Sequence, residues 1–111
     1  MNHLKDAQSV MDHFLNETAN GRVFTAEEYL QASSMLVAFQ GKEQAKLLDM
    51  QQQLSKKKIE LVELHKTVSK AKIYIEATDE HKNCELQKQF IKSIESFIQI
   101  AKKNADVSNK Y

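Results

Sequence analysis

His81 and Cys84 stand three residues apart, with Glu80 and Glu85 beside them. On a helix this spacing puts an imidazole and a thiol on one face, half of what a tetrahedral metal site needs. The other half is missing, because no second Cys/His pair occurs at metal-ligand spacing. His3, His13 and His65 are scattered, and Cys84 is the one cysteine of the chain. No serine or cysteine sits in a local sequence signature of an activated nucleophile. The pair therefore reads as an ordinary histidine next to a partly buried thiol. The residues give no catalytic group, no cofactor and no metal ligand, and the expectation is a non-enzymatic protein.

The second group able to do chemistry is basic. Lys56, Lys57 and Lys58 are followed by Lys66, Lys70 and Lys72. At 100° per residue Lys58, His65 and Lys72 align in one stripe, and Lys56, Lys66 and Lys70 fall within a second, so a phosphate track is geometrically available. Against it stand a single arginine in the chain, Glu60 and Glu63 among the lysines, and no stacking aromatics between them. A solvated flank of a helix interface accounts for the same lysines. Nucleic-acid contact is the alternative reading.

The element that must carry these lysines is announced by a seven-residue recurrence: Leu47, Leu54, Leu61, Val68, Ile75. With these at heptad position a, position d reads Met50, Lys57, Leu64, Ala71, a seam interrupted by Lys57. A helix over residues 42–77 would be about 54 Å long at about 1.5 Å per residue, which demands a covering neighbour. That neighbour is the chain's own last helix, a second copy, or another protein. The weak d positions favour an antiparallel hairpin or bundle over a parallel zipper. Ile59, Val62 and Ile73 lie off the seam and widen the apolar face.

The 111 residues, 41% hydrophobic and 28% charged with no proline and two glycines, fit one small helical domain, from which a three-layer enzyme with a recessed site is hard to build. The expected order is a short helix over residues 4–18, a long coiled-coil-like central helix over 26–77, and a last helix over 79–103; Gly41 either ends a helix or, the favoured reading, lies within the long one at a cost of about 1 kcal/mol relative to alanine. Together they form one all-α domain, residues 1–104, an elongated hairpin or small bundle; residues 105–111 are expected to fray as a polar tail. Asn20-Gly21 stops the first helix. Thr25 and Glu28 spell a capping box at the second start, with Phe24 and Tyr29 as its hydrophobic staple. Thr78 or Asp79 caps the last helix, whose apolar face is read as Leu86, Phe90, Ile91, Ile94, Phe97, Ile98 and Ala101.

Charge is divided along the chain. Residues 1–30 hold two cations against five acids, whereas residues 42–72 hold eight lysines against four acids. The difference favours antiparallel self-docking or stacking of one copy's end on another's middle. The lone cysteine and the absence of an apolar leader or membrane span lead to the expectation of a cytoplasmic, reducing setting.

The run Ser69-Lys70-Ala71-Lys72-Ile73-Tyr74-Ile75-Glu76-Ala77-Thr78, followed by a charged helix ending Phe97-Ile98-Gln99-Ile100-Ala101-Lys102-Lys103, resembles small helical coiled-coil accessory proteins of tailed bacteriophages. The resemblance is one of layout over residues 25–104. It implies a non-enzymatic protein: a recombination accessory, an assembly factor, or an inhibitor that clamps a host protein. The reading is thus an oligomerising interaction protein with a protein partner. The expected interface is Leu47, Leu54, Leu61, Leu64, Val68, Ile75, Phe90, Ile94 and Phe97, with Tyr29, Phe39 and Tyr74 as further anchors. The alternative is a replication or recombination accessory binding nucleic acid through Lys56, Lys57, Lys58, Lys66, Lys70 and Lys72.

Overall fold

The structure, a computed structural model, describes residues 4–65 and 68–110. The fold is all-α. Four helices follow in order: α1 (Ala7–Ala19), α2 (Ala26–His65), α3 (Val68–Glu76) and α4 (Asp79–Lys110). No strand occurs among the described residues. The chain divides into two compact units. One is built from residues 1–42 and 91–111, the other from residues 43–90.

In the first unit, α1 begins where Asp6, in extended backbone, accepts from the Ser9 amide at 2.7 Å. The helix thus starts three residues later than the apolar pattern suggests. Leu4 lies outside it yet is buried with Ala7, Val10, Met11 and Phe14. Its end is a glycine C-cap: the Arg22 amide donates to Glu17 O and the Gly21 amide to Thr18 O, with Gly21 at φ +88°.

The start of α2 follows the expected capping box. The Glu28 amide donates to Thr25 Oγ1 at 3.2 Å, and the Thr25 amide donates back to Glu28 Oε1 at 3.0 Å. Phe24 packs on Tyr29 at 5.7 Å between ring centroids and on Phe14 at 4.2 Å. Arg22 closes the corner, bonding Glu28 at 2.6 Å and lying 4.6 Å over the Phe24 ring. Ala32 and Leu36 from α2 and Ile94, Ile98 and Ala101 from α4 complete this core.

α2 is continuous through Gly41. Residues 66 and 67 lie outside the described residues, and beyond them the chain resumes as α3, so the single helix over 26–77 is described as α2 and α3. In the second unit Glu43 meets Gln87, and Met50 and Gln53 share a small hollow with Glu80 and Asn83, so α2 and α4 run antiparallel there. The reversal before α4 lies where expected, and Thr78 is its cap. Its Oγ1 accepts from the His81 amide at 3.2 Å and donates to Ile75 O at 2.6 Å.

The last helix differs from its expected face and length. Its buried positions are Cys84, Gln87, Ile91, Ile94, Ile98, Ala101 and Ala105, at alternating spacings of three and four. Leu86, expected in the core, is 63% exposed. The helix does not stop near Lys103. It continues to Lys110, because no breaker follows and Ala105, on the same stripe, is buried.

Among the described residues, no helix is long and apolar enough to cross a membrane.

Candidate functional site

The second unit contains a cleft to which three helices contribute. α2 places Leu54 and Lys58 one turn apart, α3 places Lys72 and Ile75, and α4 places His81, Cys84 and Lys88. Together they line a cleft of about 410 Å³. Leu54 and Ile75 supply its apolar floor. Gln51, Ser55 and Glu76 complete the wall.

The cleft is built by the seam. Leu47, Leu54 and Leu61 are half-buried along α2, and Ala71 and Ile75 are buried on α3. The chain's own α3 and α4 are thus the neighbours that cover much of the heptad stripe. Lys57, the basic d position, is half-buried at the edge, where a long methylene stem can lie along the seam with its ammonium in water.

Lys58 and Lys72 form no ion pair among the described residues. Lys88 is bound to Glu85 at 3.1 Å. The Cys84 thiol is enclosed, and burial pushes its pKa up, so it is neutral and a poor nucleophile at physiological pH. His81 and Cys84 do share one wall, but no group of three metal-capable side chains occurs among the described residues.

The expected interface residues divide into three groups. Ile75 and Ile94 are buried within one chain. Leu47, Leu54, Leu61, Phe90 and Phe97 are half-buried. Leu64 and Val68 are 71% and 64% exposed. Of the further aromatic anchors, Tyr29 and Phe97 line an uncharged hollow of about 390 Å³ in the first unit with Phe14 and Leu15. Phe39 is half-buried and Tyr74 exposed.

Of the expected nucleic-acid contacts, Lys56, Lys58, Lys70 and Lys72 are exposed. The structure brings Lys58 and Lys72 to one cleft and leaves Lys56 and Lys70 off it. Lys66 lies outside the described residues. Lys88 joins the cleft although the lysine run did not include it. Its signal was the heptad phase of α4, which sets Lys88 one residue past the buried Gln87.

The chain matches no protein-family model, no curated protein and no solved structure.

Proposed function

We propose that the protein is a non-enzymatic helical interaction protein that self-associates and acts by contact with another protein. One observation carries the reading. From residue 37 to residue 64 no side chain of α2 is buried, although the stretch holds Val37, Phe39, Leu47, Leu48, Leu54, Ile59, Leu61 and Leu64. Past it, Val68 and Ile73 of α3 are also exposed. Of the α2 stretch, Val37, Leu48, Ile59 and Leu64 are exposed, and since burying apolar surface yields roughly 25 cal/mol per Å², a helix presenting them gains by acquiring a neighbour. The layout resemblance to phage accessory proteins is in keeping with such a role.

Sedimentation equilibrium tests this reading. The wild-type chain is expected to associate at micromolar concentration, and the doubly charged variant Leu64→Asp/Val68→Asp to remain monomeric with unchanged helicity. A monodisperse wild-type monomer would count against it.

The convergence of Lys58 and Lys72 from two helices favours a second reading, contact with nucleic acid. Charge reversal at Lys58 and Lys72, both exposed, should then abolish a salt-sensitive gel shift without affecting assembly.

A further inference from the structure

The cleft of the second unit combines features that neither the heptad seam nor helix-to-helix contact requires. A seam between α2, α3 and α4 needs apolar side chains facing one another. Here it opens into a space of about 410 Å³ whose lining includes three lysines, Lys58, Lys72 and Lys88, with Glu76 as the acid among the lining residues. That volume is within the range of small-molecule sites, about 300–1,000 Å³. Lys88 has Glu85 as partner, whereas Lys58 and Lys72 have no ion-pair partner among the described residues.

The arrangement has a polar and an apolar end. Leu54 and Ile75 form apolar wall, Ile75 itself buried, and the Cys84 side chain beside them is buried and uncharged. Gln51, Ser55 and His81 offer hydrogen-bonding groups between floor and rim. A fully solvated phosphate gains little from Leu54 and Ile75. A neutral apolar molecule gains nothing from two lysines that have no ion-pair partner among the described residues. The chemistry that satisfies both ends is an anionic head on a short apolar body.

From this juxtaposition we infer that the cleft formed by α2, α3 and α4 is a binding site for an amphiphilic organic anion, such as a phosphate monoester or carboxylate with a short hydrocarbon part. Lys58 and Lys72 hold the head, reaching it from two different helices. Leu54 and Ile75 receive the apolar body. The recessed, partly apolar floor distinguishes this ligand from a polyanionic nucleic-acid backbone, which would follow lysines across an open surface and has no use for the floor. The inference does not rest on self-association, since every lining residue belongs to one chain.

The full chain titrated with octyl phosphate, observed by calorimetry and by amide NMR, tests the site. Saturable binding is expected, with the largest shifts around Leu54, Lys72, His81 and Cys84. The neutral octyl glucoside should not saturate there, and inorganic phosphate should bind more weakly than octyl phosphate. The variant Lys58→Gln/Lys72→Gln, changed only at exposed positions, should weaken octyl phosphate by about tenfold or more, as expected for losing charge-assisted hydrogen bonds. The control Lys5→Gln/Lys103→Gln should bind like wild type. Vesicles containing phosphatidic acid separate the two sources of such a head. Lysine-dependent co-sedimentation assigns it to a lipid, and binding of octyl phosphate without co-sedimentation assigns it to a soluble molecule. Equal binding of octyl glucoside, wild-type affinity in the Lys58/Lys72 variant, or shifts centred on Leu15 and Ile100 would overturn the inference. So would a single-stranded oligonucleotide binding where octyl phosphate does not.

Discussion

The side-chain amide of Gln87 donates to two oxygens of Glu43 at once, the main-chain carbonyl at 3.0 Å and the carboxylate Oε2 at 2.7 Å. Gln87 occupies a core step of α4, between the buried Cys84 and Ile91, and is itself only 8% exposed. A polar side chain at such a step fixes the register of two antiparallel helices, because sliding either helix would leave the amide buried without its partner.

Gln87→Ala should therefore cost about 1–2 kcal/mol, the low part of the range for a hydrogen bond to a charged acceptor because Glu43 is half-exposed. Gln87→Leu should cost less, under about 1 kcal/mol, since it restores an apolar core step and lets the Glu43 carboxylate turn to water. Denaturant unfolding of Gln87→Ala, Glu43→Ala and the double variant would measure the coupling. Additive effects would show that the contact does not hold the register.

The corner between α1 and α2 should be the most sensitive point of the first unit. Phe24 is 2% exposed and touches Phe14, Tyr29 and Arg22. Phe24→Ala should cost about 3–5 kcal/mol, a large share of the stability of a domain this small. Thr25→Ala removes the cap alone and should cost about 1 kcal/mol. Thermal unfolding followed by circular dichroism ranks the two. Equal losses would mean that the aromatic cluster contributes no more than the cap.

These two sites differ in how legible they were. The capping box and its staple use residues within five positions of one another, so local spacing was enough to specify their geometry. Hydrophobicity alone selects Leu86 over Cys84 and Gln87 for the buried face of α4. The structure selects by phase: stepping back seven from Ile91 and Ile94 arrives at Cys84 and Gln87, whereas Leu86 is rotated out to solvent. The heptad on α2 revealed that a neighbour was needed, but the identity of that neighbour depended on contacts more than forty residues apart in the chain, such as Glu43 with Gln87. The cleft was illegible for the same reason. Lys58, Lys72 and Lys88 come from three helices, and only the packing of α2, α3 and α4 brings them to one rim.

Acid should weaken the first unit through two helix starts. Hydrogen bonds from the Ser9 side chain and amide hold the Asp6 carboxyl below its usual range. The Thr25 amide, with Arg22 nearby, does the same for Glu28. A depressed folded pKa means that the unfolded chain takes up protons first as pH falls. The stabilisation is present above the ordinary carboxyl range and is lost as pH drops through it to the lower folded values. Both groups are near water, so salt should reduce the effect. The melting temperature should fall on the acid side of that range, and Asp6→Asn/Glu28→Gln should flatten the fall. An unchanged acid slope in the double variant would assign it to other carboxyls.

The two glycines should respond to alanine with opposite signs. Gly41 lies inside α2 with nothing within 4 Å of where a Cβ would stand. Alanine there meets no clash, limits the freedom of the unfolded chain and favours the helix, a gain of about 0.5–1 kcal/mol. Gly21 also has open space, but its φ of +88° is strained for any residue with a side chain. Gly21→Ala should therefore cost about 1 kcal/mol, and the loss should come from the C-cap of α1, since the Gly21 and Arg22 amides close that helix. Equilibrium unfolding of both variants decides the matter. A destabilising Gly41→Ala would mean that the helical backbone at residue 41 needs the freedom of glycine, and the gain expected from helix propensity would be refuted.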